Sequence, residues 1–173
     1  LNRGAFVEAA EVLFASSPGT QHALVMVDVD FFKQINDRFG HGYGDRVLIR
    51  TCDSLRSALR ADDLVCRIGG DEFVLLLKNV LSQEALQVKI NLLCEQLFQR
   101  ISSELSFSCS FGAALFPQDG VSFEQLYGKA DIVVQQPVQY RLGPGGQDYY
   151  HRQSAEDDSE GKQKHQQLEY ASN

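Results

Sequence analysis

A chain of 173 residues suits one core of ordinary size, so a single active site is expected rather than several. Hydrophobic residues make up 43% and charged residues 23%, the balance of a soluble globular domain, which excludes a chain too polar to bury a core. The formal net charge of −7 disfavours a surface that neutralises many phosphates; duplex nucleic acid is therefore not the expected partner, and any nucleotide handled here should be small and metal-bound.

The first element predicted is an amphipathic helix over residues 2–14, with Phe6, Ala9, Ala10 and Leu13 at helical spacing, Asn2 as N-cap and Ser16-Ser17-Pro18-Gly19 as its end. Ala23 to Val29 is a valine-rich, nearly continuous apolar run of strand length, the mark of a strand buried on both faces. A short helical stretch follows, then a loop over Gly40-His41-Gly42-Tyr43-Gly44 and a helix of about 45–60 carrying the stripe Val47, Leu48, Thr51, Leu55 and Leu59. Leu64 to Ile68 and Phe73 to Leu77 read as the two strands of a hairpin around Gly69-Gly70-Asp71-Glu72. Ala85, Leu86, Ile90, Leu93, Leu97 and Phe98 mark a helix over 83–99, and the alternation of Phe107, Cys109 and Phe111 a half-buried strand over 106–116. A last helix should start near Ser122 and run through Leu126 and Ala130, with Pro137 unable to sit inside it. Gly143 to Gly146 reads as loop, and the polar stretch 152–173 as a disordered tail.

Helix aside, the order strand, helix, strand, strand, helix, strand is the ferredoxin-like split βαβ pattern, an α+β fold with a βαββαβ core and extra N- and C-terminal helices. A right-handed crossover makes the first two strands parallel, with the third inserted antiparallel between them. Asp28, at the end of the first strand, then lies beside Asp71 in the turn, so two carboxylates distant in sequence converge on one rim. Cys52, Cys66, Cys94 and Cys109 form no CxxC pair and have no histidine at zinc-ligand spacing, which favours buried free thiols in a reducing compartment. No apolar run approaches the ~20 residues that span a bilayer, and no charged-then-apolar leader opens the chain. A cytoplasmic domain is expected, with a longer parent protein free to be membrane-tethered.

Asp28 and Asp30 could hold a metal or simply end a strand with solvated polar groups. Convergence with Asp71 favours the metal, since Mg²⁺ is commonly held by one or two carboxylates together with substrate phosphates. Gly69 and Gly70 could be no more than turn geometry, but two acids directly after them fit a site where a ligand approaches the backbone and a carboxylate holds metal or takes a proton.

Arg67-Ile68-Gly69-Gly70-Asp71-Glu72-Phe73 resembles the signature of the GGDEF family of diguanylate cyclases. Asp28-Val29-Asp30-Phe31-Phe32-Lys33-Gln34-Ile35-Asn36-Asp37-Arg38-Phe39-Gly40-His41 resembles its second hallmark, with Gly44-Asp45, Leu1-Asn2-Arg3, Ser110-Phe111-Gly112 and Ala130-Asp131 at matching places. The resemblance covers about residues 1–131 and implies a fold like that of nucleotidyl cyclases and polymerase palms. The domain would then occupy 1–151, with its N-terminal edge truncated and an upstream sensor or regulatory domain attached in the parent protein.

By position, the resemblance makes Asp28 and Asp71 the carboxylates for Mg²⁺ or Mn²⁺, assisted by the Val29 carbonyl, with Glu72 beside them. Asn36 and Asp45 would read guanine, the backbone amides of Phe31 and Phe32 would hold phosphate oxygens with Lys33 assisting, and Gly69 and Gly70 would border the substrate. The implied reaction is in-line attack of one GTP 3′-hydroxyl on the α-phosphate of another, with Asp71 the leading candidate to help remove the hydroxyl proton. The product, cyclic di-GMP, is two-fold symmetric, so a homodimer is needed for catalysis. Arg60-Ala61-Asp62-Asp63 fits the family's RxxD product-inhibition site, with Arg60 and Asp63 as binding residues; a surface ion pair at a helix end is the plainer reading. Members usually follow Ala-Asp with a helical turn bearing a lysine and an arginine that grip the terminal phosphates. Here Val138 and Leu142 stand in those places, Arg141 is one place early, and Pro137 precedes them. Weak GTP affinity and slow turnover are expected, and a catalytically weak or inactive module that binds GTP or cyclic di-GMP and regulates an attached domain is the alternative.

Overall fold

In the computed structural model, residues 1–101, 107, 109–132, 140–142 and 148–150 are described. Helix α1 spans Arg3–Ser16, strand β1 His22–Val29, α2 Phe32–Phe39, α3 His41–Ala58, β2 Leu64–Arg67, β3 Glu72–Leu77, α4 Gln83–Ile101, β4 Cys109–Phe116 and α5 Phe123–Ile132. The four strands form one sheet in the order β2-β3-β1-β4, with β3 antiparallel to both β1 and β2 and β4 antiparallel to β1. This is the α+β arrangement expected from the element order.

The apolar run of β1 has the predicted cause: both faces of the sheet are covered. Odd-numbered positions, Val25, Val27, Phe73, Leu75 and Phe111, pack with Val47 and Leu55 of α3 and Ile90 and Leu93 of α4. Even-numbered positions, Leu24, Met26, Val74 and Leu76, pack with Phe6 and Phe14 of α1 and Leu126 of α5. Fully burying a side chain such as Phe6 or Leu126 stabilises the fold by roughly 1.5–3 kcal/mol each. The Asn2 side chain caps α1 as expected, accepting the Ala5 N–H at 2.9 Å. The Glu11 side chain accepts the first N–H of α5, from Phe123, at 2.7 Å and ties α1 to α5.

One expectation fails. Gly40 to Gly44 is not a loop: Gly40 alone, at φ +82°, makes the turn, and α3 starts at His41. Gly44 lies buried in the first turn of that helix, where an added Cβ would collide with the Asn36 side chain of α2. The glycine serves close helix approach rather than chain reversal.

Residues 138–173 form a second unit, in which β5, Tyr140–Leu142, pairs antiparallel with β6, Asp148–Tyr150. This short hairpin was not anticipated. The expectations placed on Pro137, on the loop 143–146 and on the tail 152–173 lie outside the described residues. Among the described residues no helix is long and apolar enough to cross a membrane.

Candidate active site

The rim of the sheet where β1 ends and β3 begins gathers the acids. The β1–β3 register sets Asp28 directly opposite Glu72, and the β1–β4 register sets Asp28 opposite Ser110. Side chains of directly paired residues stand on the same face of a sheet, so Asp28 and Glu72 are neighbours there, on the face covered by α1 and α5. Asp71 precedes Glu72 in the turn, and its main-chain carbonyl accepts the Val29 N–H at 3.2 Å. Asp28, Val29, Asp71 and Glu72 therefore meet at one rim, and Glu72, not Asp71, is the acid aligned with Asp28 across the ladder. Two carboxylates on facing positions repel, and a divalent cation between them would turn that repulsion into attraction. Among the described residues no three histidine, cysteine or acidic side chains form a ready cage. The donor set, two or three carboxylates and a carbonyl, fits a hard cation completed by phosphate oxygens and water. Asp30 has another task visible here: its Oδ1 accepts the Ser110 hydroxyl at 2.6 Å and fastens the end of β1 to β4.

Beyond Asp30 the chain turns sharply. Phe31 adopts φ 57°, ψ 27°, the left-handed region that costs a non-glycine residue of order 1 kcal/mol or more, and its ring is 66% exposed. That conformation starts α2 at once, and Phe31 as N-cap supplies no side-chain acceptor to the first turn. The amides opening α2, at Phe32 and the exposed Lys33, thus present an uncapped helix N-terminus to an anion. Asn36 lies half-buried where α2 crosses α3 at Gly44, and exposed Asp45 follows directly. Gly44 is what brings the Asn36 amide beside Asp45. The crossing is braced by stacked rings of Phe39 and Tyr43, 4.7 Å apart, with Arg38 and Arg46 over their outer faces.

The turn itself uses its two glycines differently. A Cβ on Gly69 would come within 2.6 Å of Glu72 Oε2, whereas one on Gly70 would meet nothing within 4 Å. Arg67 folds back over the turn and donates to both glycine carbonyls, main-chain partners that no residue type in the motif announces.

Arg60 and Asp63 lie at the other end of the β2–β3 hairpin. Asp63 Oδ2 accepts the Arg60 N–H at 3.1 Å and Oδ1 accepts the Lys78 N–H at 3.0 Å. The aspartate is thereby a structural tie between the turn before β2 and the residue after β3. Arg60 is exposed and borders a cleft of about 360 Å³ shared with Arg56. Toward α4 a second cleft carries Arg60, Lys78 and Lys89.

The cysteines are free thiols, as anticipated, but only Cys66 is buried; Cys52, Cys94 and Cys109 are half-buried. Burial, followed by the negative neighbour Asp30, pushes the Cys109 thiol far above its ordinary range, and burial pushes Cys94 up to about 11.

A profile described as "Diguanylate cyclase, GGDEF domain" matches residues 1–139. The chain belongs to the GGDEF family. Among curated relatives, the diguanylate cyclase TpbB of Pseudomonas aeruginosa (strain UCBPP-PA14) is 40% identical over 124 residues, 69% of this chain and 28% of that protein. The diguanylate cyclase DgcS of Shewanella oneidensis is 37% identical over 132 residues, 70% of this chain and 42% of its own length. This GGDEF chain thus spans less than half the length of either relative. The crystal structure of the GGDEF domain of Pseudomonas aeruginosa PA1120 (YfiN or TpbB) matches with a TM-score of 0.66 at 31% identity, covering 76% of this chain and 86% of that one. A microbial GGDEF domain studied for its interaction with cyclic di-GMP matches with a TM-score of 0.63 at 34% identity, covering 76% and 83%.

Proposed function

We propose that this domain is a diguanylate cyclase, condensing two GTP molecules into cyclic di-GMP and two pyrophosphates between two copies of itself. The observation that carries the reading is the meeting of Asp28, Asp71 and Glu72 at one sheet rim, directly before the uncapped start of α2. Asp28, Asp71 and the Val29 carbonyl, with Glu72 alongside, would hold Mg²⁺ or Mn²⁺. When bound, the metal supplies charge neutralisation for the phosphates and lowers the pKa of the attacking hydroxyl. The backbone amides of Phe31, the N-cap, and Phe32, the first residue of α2, with Lys33, would bind phosphate oxygens, and Gly69 and Gly70 would let the nucleotide lie against the turn. Asn36 would bond the guanine carbonyl, and Asp45 would accept from its ring N–H and amine. Asp71 would take the 3′-hydroxyl proton as that oxygen attacks the α-phosphate of the GTP held by the second copy. The two-fold product requires a homodimer during turnover. Arg60, with Asp63, would bind cyclic di-GMP and restrain the enzyme.

The test is incubation with Mg²⁺ and GTP followed by chromatography: cyclic di-GMP and pyrophosphate are the expected products, and unchanged GTP at high protein concentration would overturn the cyclase reading.

A second reading has an observation of its own. Val138 and Leu142 stand where members carry a phosphate-gripping lysine and arginine, and Leu142 belongs to β5 rather than to a helix. A domain lacking that grip would bind GTP weakly and turn over slowly. In the limit it would act as a cyclic di-GMP or GTP sensor for an attached domain. Product binding at Arg60 without GTP turnover would decide for this reading.

A further inference from the structure

Arg67 takes no part in the chemistry above, yet its guanidinium is among the most closely held groups of the rim. It is exposed and ends β2, and it reaches back over the turn that follows. Nε donates to the carbonyls of Gly69 and Gly70 at 3.2 and 3.0 Å, and Nη2 donates to that of Gly70 at 2.6 Å. A trans peptide points its C=O and N–H in opposite directions within one plane. The Gly69 carbonyl shares its plane with the Gly70 N–H, and the Gly70 carbonyl with the Asp71 N–H. Pinning both carbonyls toward the guanidinium aims both N–H groups away from it. Two successive N–H groups turned the same way make a nest, a concavity for an anionic oxygen.

The neighbouring amides are spoken for, since Ile68 and Gly69 donate to the Glu72 carbonyl at 2.9 and 3.5 Å. Among the described residues the N–H groups of Gly70 and Asp71 have no acceptor within the fold. Gly70 supplies a second, independent sign. Its backbone is outside the left-handed region, and a Cβ there would meet no protein atom within 4 Å. Nothing among the described residues requires glycine at position 70, and the space a side chain would take there is open to a ligand. The acids beside it would repel a bare anion, so the anion suited to this place arrives with a divalent cation.

We propose that Arg67 is a positioning residue that clamps the turn so that the Gly70 and Asp71 amides hold a phosphate oxygen of the metal-bound nucleoside triphosphate. The clamp rests on the cyclase reading for the identity of its ligand. It uses Arg for its fork, because one planar group must reach two carbonyls of different peptide planes, which a point-like ammonium does poorly.

Amide NMR of the labelled chain, titrated to millimolar α,β-methylene-GTP with Mg²⁺, tests it. In the unaltered protein the Gly70 and Asp71 signals shift together with those of Gly44 and Asp45. In Arg67→Ala the Gly44 and Asp45 signals still shift while Gly70 and Asp71 stay in place, and kcat falls by roughly ten- to a hundredfold with the thermal midpoint unchanged. Arg67→Lys falls between the two. Unaltered shifts and kcat in Arg67→Ala, or full activity in Arg67→Lys, would overturn the clamp. Shifts at Gly70 and Asp71 with the analogue, together with no cyclic di-GMP formed from GTP and Mg²⁺ in a separate assay, would sink the cyclase reading and leave the nest standing. Product formed from GTP, while those two signals never move with the analogue, would do the reverse.

Discussion

The two ends of the β2–β3 hairpin are built on opposite rules. At the Gly69–Glu72 end a cationic side chain, Arg67, holds backbone carbonyls, and the carboxylates of Asp71 and Glu72 are left for a ligand. At the Asp63 end an acidic side chain holds backbone N–H groups, from Arg60 and Lys78, and the side-chain cations Arg60 and Lys78 are left on the cleft walls, while Lys89 donates to the Ala58 carbonyl at 2.7 Å. The six residues of β3, roughly 20 Å of strand, separate them. Each end uses one charge sign to hold the hairpin's own backbone and displays the other. The first is suited to a cation with its phosphates, the second to an anion alone.

The comparison breaks most sharply at the acidic end. Asp71→Ala should abolish cyclisation and leave the fold intact, because the side chain lies in a turn and outside both cores. Asp28→Asn should likewise lose Mg²⁺-dependent turnover. Chromatography of the GTP reaction, with circular dichroism as the check on folding, measures both; turnover near that of the unaltered chain would reduce the acids to strand-end solvation.

A smaller effect is expected beyond α5. A charge-assisted phosphate contact contributes roughly 1.5–3 kcal/mol, so a domain lacking two of them should bind GTP at least about tenfold more weakly than a relative that has both. A GTP titration of the unaltered chain beside such a relative measures that factor. Micromolar GTP affinity in the unaltered chain would point to Lys33 or Arg141 as the grip instead.

Much of this was legible in the sequence, for reasons that differ by element. The capped helix at Asn2, the two-faced strand at Ala23 to Val29 and the hairpin about Gly69 each carry a local signal, and strand order followed from handedness. The glycines of 40–44 misled because composition alone cannot tell a glycine needed for φ from one needed for contact; only Gly40 is of the first kind and Gly44 is of the second. The rim was located, but its register was not: an offset of one residue decides that Glu72 rather than Asp71 faces Asp28. Backbone capture by Asp63 and Arg67 was invisible because its partners are main-chain groups, which no residue type announces.

At the basic end the two members of RxxD should separate. Arg60→Ala should raise the cyclic di-GMP concentration for half inhibition with little change in initial rate or stability. Asp63→Ala should cost about 1–3 kcal/mol in urea unfolding, because it strips an acceptor from two backbone donors. Equal stability of the two variants would contradict the assignment of Asp63 as a tie, and unchanged product binding in Arg60→Ala by calorimetry would return Arg60 to a surface ion pair.

The smallest effect concerns a second capture at the same end. Next to Lys78, the N–H of Asn79, a residue at φ 54°, donates to Nδ1 of the buried His22 at 3.2 Å. Nδ1 therefore carries no proton. Ser17 spends its hydroxyl hydrogen on the Leu13 carbonyl at 2.7 Å, so it receives the Nε2–H at 2.9 Å, and the ring is neutral. Burial between Phe14 and Phe116, and then the charge of Lys78, hold the His22 pKa below 6.5. Unfolded, the same ring titrates near 6.5, so below that pH the unfolded chain binds more protons and stability rises with pH. The contribution is complete above about pH 6.5 and is lost as pH falls through that value toward the folded pKa, where a proton on Nδ1 would face the Asn79 N–H. Urea midpoints at pH 7.5 and pH 5.5 should differ more for the unaltered chain than for His22→Gln, which cannot titrate. Equal differences in the two proteins would mean that Asp63 alone holds this end of the hairpin and that His22 merely fills space.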